Sequence, residues 1–186
     1  MTRIIRNLGS LLLIAATVCG VSSASAEQKR ASPTATINAD IDGNKVTIVY
    51  ARPYTTKPGT TEVRKIWGGL VPFGKVWRTG ANEATILTTE KDLVMGETTI
   101  PAGKYSLYTL PADDGTAKLI VNKQTGQWGT VYDEKQDLAR IAMKGEKLDK
   151  SVDQFTMAIE KADGGVGVLK MMWEKTQFSL SFKVKK

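Results

Sequence analysis

The chain has 186 residues, with 26 Lys and Arg against 19 Asp and Glu, one cysteine and no histidine. Cys19 falls inside an N-terminal leader, so the remainder lacks both His and Cys. That excludes His- or Cys-ligated zinc, iron and copper, and it excludes Ser-His-Asp and Cys-His catalysis. The positive charge is modest and its lysines are spread along the chain, without the basic run that would predict nucleic-acid binding.

Residues 1–26 read as a cleavable signal peptide. Arg3 and Arg6 form the positive start, residues 8–18 an apolar stretch, and Ala24 and Ala26 the small-x-small cleavage pattern. The apolar stretch is well short of the roughly 20 residues that span a bilayer. Cys19 stands where lipoproteins accept a lipid, but Val18 precedes it where a small residue is usual, which favours cleavage after Ala26. The mature chain, 27–186, then has a formal charge of +5, no disulfide and a single domain's length. It is expected in the periplasm or outside the cell, with no membrane span after cleavage.

Period-two alternation dominates the mature chain. Val46, Ile48 and Tyr50 alternate with polar neighbours, and Asp42-Gly43-Asn44 before them signals a hairpin. Residues 53–69 hold Pro53, Pro58, Gly59, Gly68 and Gly69 and read as an irregular loop. Short strands are expected over 84–89, 93–95, 104–110, 117–122, 139–143, 155–159 and 166–173. A last strand places Phe178, Leu180, Phe182 and Val184 on one face. Residues 132–139 are the one place for a short helix. Asp113-Asp114-Gly115 and Asp163-Gly164-Gly165 read as hairpin turns rather than calcium loops. The expected fold is all-β, an antiparallel β-sandwich with a barrel as the alternative.

Arginine usage is the best internal clue to a site. The mature chain has 19 lysines but only Arg30, Arg52, Arg64, Arg78 and Arg140. Lysine serves as the general surface charge, and the planar arginine fork suits fixed bidentate contacts. Each arginine either pairs with a buried carboxylate or carbonyl, as a structural element, or belongs to a ligand-binding set. The densest polar stretch is Trp77-Arg78-Thr79-Gly80-Ala81-Asn82-Glu83-Ala84-Thr85. Either an Arg78–Glu83 ion pair closes that loop, or Arg78, Asn82 and Glu83 face a cleft. Trp128, between Gly126 and Gly129, is the better aromatic platform; Trp77 and Trp173 suit a core.

The blocks Tyr50-Ala51-Arg52-Pro53, Gly69-Leu70-Val71-Pro72-Phe73-Gly74-Lys75-Val76 running into the Trp77–Thr85 stretch, Pro101-Ala102-Gly103-Lys104-Tyr105-Ser106-Leu107 and Gln127-Trp128-Gly129 resemble an uncharacterised family, domain of unknown function 2911. The resemblance covers nearly all of the mature chain. It implies a secreted bacterial β-rich domain and supplies no activity, substrate or catalytic residue.

The leading functional expectation is a binding module for a small polar or anionic ligand, a glycan among the options, using Arg52, Arg78, Asn82, Glu83 and Trp128. It calls for no cofactor and no metal, and the missing His and Cys argue against an enzyme. One alternative is a carboxylate-dependent hydrolase with Glu83 as acid or base, partnered by Asp133 or Asp137. Another is a structural or interaction domain with no small-molecule site. Oligomeric state is left open.

Overall fold

Residues 31–186 are described by a computed structural model; the signal-peptide expectation and Arg30 lie outside the described residues. Nine strands form one antiparallel sheet: β1 (Thr34–Ile41), β2 (Asn44–Ala51), β3 (Thr85–Thr89), β4 (Leu93–Met95), β5 (Thr98–Ile100), β6 (Gly103–Pro111), β7 (Ala117–Asn122), β8 (Asp137–Ala162) and β9 (Val166–Val184). Their spatial order is β1-β2-β3-β6-β7-β8-β9-β4-β5, and the sheet is not closed into a barrel. The all-β expectation holds, with both layers of the sandwich cut from one sheet.

The 26-residue β8 makes this possible. Its first part pairs with β7, Ala139 opposite Val121 and Met143 opposite Ala117. From Lys144 onward it pairs with β9. Gly145 sits at the crossover, where a Cβ would collide with the Gly115 carbonyl. Only glycine lets the β6–β7 turn approach so closely. The two halves then face each other across a shared core. Val46, Ile48 and Tyr50 of β2, Leu107 of β6 and Leu119 of β7 meet Phe155 and Met157 of β8 and Leu169, Met171 and Trp173 of β9.

Two strands expected separately, 139–143 and 155–159, are therefore parts of β8. The intervening 144–154 is polar on both faces and pairs with β9 through two register shifts, so it shows no alternation. Likewise 166–173 and the last strand are one β9, kinked at Glu174 with φ 51°. The short helix is only a 3-10 turn, Glu134–Gln136, started by the Asp133 side chain accepting from the Lys135 N–H. Residues 112–116 and 163–165 are hairpin turns, as expected.

A polar link crosses the core. The Tyr50 hydroxyl accepts from the Met157 N–H at 2.9 Å and lies 3.4 Å from the Met157 carbonyl, while its ring meets Phe155 edge-on at 5.7 Å. Tyr50→Phe keeps the packing but strands a buried N–H. It is expected to lose about 1–3 kcal/mol of stability, measured by urea unfolding.

Candidate functional site

The site is built around an interruption of the sheet. Trp77 and Thr109 exchange both backbone hydrogen bonds at 2.8 Å, and Thr85 pairs with Leu107 on the same strand, β6. Residues 78–84 therefore leave the ladder opposite Tyr108 alone. The backbone must turn sharply to do so: φ is 52° at Thr79, 144° at Gly80 and 59° at Asn82. A β-branched residue at positive φ is uncommon and costs energy. Thr79 is held there from two sides. Its hydroxyl meets that of Thr109 at 2.7 Å, and its carbonyl accepts from the Thr85 hydroxyl at 2.7 Å.

The ejected loop is clasped by the chain around Trp128. Gly129 N–H donates to the Asn82 carbonyl at 2.9 Å, Ala84 N–H donates to the Gln127 carbonyl at 3.2 Å, and Glu83 bridges Trp128. A Cβ on Gly129 would sit 2.6 Å from Cδ of Arg78. Glycine there lets the Arg78 stem lie across the backbone. The Asn82 amide donates to the Ser32 carbonyl at 3.2 Å and so fastens the loop to the start of the described chain.

Beside this clasp lies a cavity of about 970 Å³. Its apolar surface comes from Pro53, Tyr54, Trp77, Tyr108, Tyr132 and Trp173. Trp77 stacks on Trp173 at 5.8 Å and 20°, and Trp67 and Phe155 pack edge-on or tilted around them. The aromatic floor is thus rigid. Its cations are Lys57, Arg64 and Arg78, and no Asp or Glu is among the described lining residues.

The arginines separate cleanly. Arg52 donates from Nε to the Phe155 carbonyl at 3.1 Å and from Nη2 to the Thr156 hydroxyl at 2.9 Å, and it does not line the cavity. Arg64 donates to the carbonyls of Thr55 at 3.3 Å and Tyr54 at 2.5 Å. Arg140 pairs with Glu134 at 2.7 Å and Asp137 at 2.8 Å. Only Arg78, among the described arginines, has a guanidinium with neither hydrogen bond nor ion pair within the described residues. The Arg78–Glu83 ion pair does not form.

Of the five sequence-derived site residues, Arg78 and Asn82 come together on the cavity wall. Arg52, Glu83 and Trp128 lie outside the lining, and Trp128 is an exposed ring joined to Glu83 by the backbone bridge. Sequence reasoning missed Tyr54, Tyr108 and Tyr132; it offered Trp77 or Trp128 as the apolar wall of a cleft but favoured the core for Trp77 and Trp173. Both tryptophans do pack in the core, and both also line the cavity.

A titratable network flanks the same wall. The Tyr132 hydroxyl donates to Asp137 at 2.6 Å and accepts from Arg140 at 2.9 Å, while Asn122 donates to the other Asp137 oxygen at 2.8 Å. Burial, reinforced by the Asp137 carboxylate, pushes the Tyr132 phenol up to about 12. Burial also raises Tyr105 and Tyr108.

The sequence model of a family described as "Protein of unknown function (DUF2911)" matches residues 32–182. The chain belongs to that family. No curated protein and no solved structure matches the chain. No helix among the described residues is long and apolar enough to cross a membrane.

Arg52→Ala removes two charged hydrogen bonds to β8 and is expected to cost about 1.5–3 kcal/mol in urea unfolding, whereas Arg78→Ala changes the unbound protein by less than about 1 kcal/mol. Raised phenol values mean that the folded chain holds those protons more tightly than the unfolded chain. The phenols' contribution to stability is therefore fully present below pH 10 and is lost as pH rises through about 12, and the alkaline fall is shallower in Tyr132→Phe, measured as urea midpoints against pH.

Proposed function

We propose that the protein is a secreted binding module, periplasmic or extracellular, for a small polar ligand that brings negative charge to Arg78. One observation carries this reading. Arg78 lines the cavity with its guanidinium uncommitted, while Arg52, Arg64 and Arg140 are each spent on the fold. A fixed stem with a free planar fork is suited to a carboxylate or phosphate.

The surroundings support the same reading. Lys57, Arg64 and Arg78 line the wall with no Asp or Glu among the described lining residues, and Arg78 is the one of the three without a partner among the described residues, since Lys57 lies 3.8 Å from Glu62 and Arg64 is bonded to backbone carbonyls. The volume is at the upper end of the usual range for small-molecule sites, and aromatic faces with a few convergent polar groups are the usual composition of such sites. The backbone strain at Thr79 and Asn82 is concentrated in the loop that presents Arg78, and strain of this kind clusters at functional sites. The leader pattern of residues 1–26 supports the compartment. Glu83 lies outside the lining, so the geometry gives the hydrolase alternative less support than binding.

A thermal-shift panel tests the reading. Glucuronate, phosphate and citrate are compared with glucose at low salt, on wild type and Arg78→Ala. At least one anion is expected to raise the wild-type midpoint, by an amount equivalent to about 2.7 kcal/mol at 100 times its Kd. Glucose and Arg78→Ala are expected to give little or no shift. Equal shifts in both proteins, or none with any anion, would remove Arg78 as the anchor.

A further inference from the structure

The cavity beside Arg78 keeps large apolar side chains in contact with solvent. Tyr54 and Leu70 line it and are 40% and 47% exposed, and Pro72, two residues beyond Leu70, is exposed as well. Trp77 lines it at partial exposure, with Trp173 stacked on its ring at 5.8 Å. Apolar groups gathered in a concavity and left wet mark binding sites, and covering them is favourable in proportion to the area removed from water.

The polar groups of the same wall are mostly spent on the fold. The Tyr108 hydroxyl donates to the Val131 carbonyl at 3.0 Å and accepts from Gln127 at 3.0 Å, and the Tyr132 hydroxyl is held between Asp137 and Arg140. The Asn82 amide donates to the Ser32 carbonyl, and the Thr60 hydroxyl donates to the Lys57 carbonyl at 3.0 Å. Lys57 stands 3.8 Å from Glu62, and Arg64 is bonded to two backbone carbonyls. Among the described residues this leaves one uncommitted charge on the wall, Arg78, and single hydroxyls such as those of Thr56 and Thr130. A ligand rich in hydroxyls finds few fixed partners there. An anion made of polar atoms alone satisfies Arg78 and leaves the apolar wall wet.

Resting on the proposed binding function, we infer that the ligand is an amphiphilic anion. Its polarity resides in one anionic head on Arg78, and the rest is an apolar body that packs on Tyr54, Leu70 and Trp77. Trp77 and Arg78 are consecutive and both line the cavity, so one small molecule reaches ring and guanidinium together. Glycine at position 129 lets the Arg78 stem lie close against the backbone there, and a cavity of about 970 Å³ has room for a ring-sized body beside the head.

The test uses the purified protein at fixed low ionic strength and three matched probes: 3-phenylpropionate, propionate, which lacks the ring, and 3-phenylpropanol, which lacks the charge. In calorimetric titration 3-phenylpropionate is expected to bind at least roughly tenfold more tightly than either of the others. Leu70→Ser replaces an exposed side chain and spares the core; it is expected to weaken 3-phenylpropionate severalfold and leave propionate unchanged, whereas Arg78→Ala weakens both anions. A second readout needs no variant: the phenyl protons of bound 3-phenylpropionate should give nuclear Overhauser effects to the Leu70 methyls and the Trp77 ring. If 3-phenylpropionate and propionate bind equally and those effects are missing, the amphiphilic inference is overturned while anion binding at Arg78 stands. If neither anion binds, or the alcohol binds as tightly as the acid, the reading of Arg78 as the anchor itself fails.

Discussion

Trp77 and Thr109 exchange both backbone hydrogen bonds, and a few residues later Thr85 meets Leu107 on the same strand, so the chain between them has to be accommodated opposite Tyr108 alone. Everything distinctive about the site descends from that constraint. The surplus backbone cannot continue the ladder, so it turns outward through three residues of positive φ. Thr79, Thr85 and Thr109 hold the base of the loop with buried hydroxyls, and Gly129 receives its far side. Arg78 leaves this clasp as the first residue beyond the last paired one. Its stem is pinned over Gly129, and its charged end is not used by the fold.

The core supplies the other half of the arrangement. Trp77 and Trp173 belong to the same buried cluster as Phe155 and Phe178, yet their outer surfaces form part of the cavity. The cavity floor therefore inherits the rigidity of the sandwich. An aromatic surface fixed by packing would cost little ordering in the proposed binding, which is the general advantage of preorganisation. The strained loop above it is likewise over-determined by hydrogen bonds. Energy is spent on holding Arg78 in place, and no contact of its guanidinium within the described residues returns that energy to the fold.

Much of this was legible in the sequence, and the failures have physical causes. Alternation at Val46, Ile48 and Tyr50, and at Phe178, Leu180 and Phe182, identified strands because one face is wet. Residues 144–154 hid within a strand because both faces are wet and the pairing slips twice. Scarcity of arginine drew attention to the residue type that includes Arg78, and the stretch from Trp77 to Thr85 contained the residues that form the clasp. Sequence could not separate Arg78 from Arg52. Both stand beside motif residues, but Arg52 is spent on Phe155 and Thr156, more than 100 positions away in the chain. The tyrosines of the wall were invisible for the same reason. Tyr54, Tyr108 and Tyr132 come from three distant segments and carry no common spacing.

Arg78 differs from the other described arginines in having an uncommitted guanidinium, and side-chain NMR reads that difference directly. The Nε–H signals of Arg52, Arg64, Arg78 and Arg140 are to be assigned and their solvent exchange measured, first in the free protein and then with added glucuronate. The expected result is slow exchange at Arg52, where the Nε–H is tied to the Phe155 carbonyl, and fast exchange at Arg78, with glucuronate shifting and slowing Arg78 alone. Slow exchange at Arg78 in the free protein, or no response to the anion, would mean that the fold already uses that guanidinium and that Arg78 is not held in reserve for a ligand.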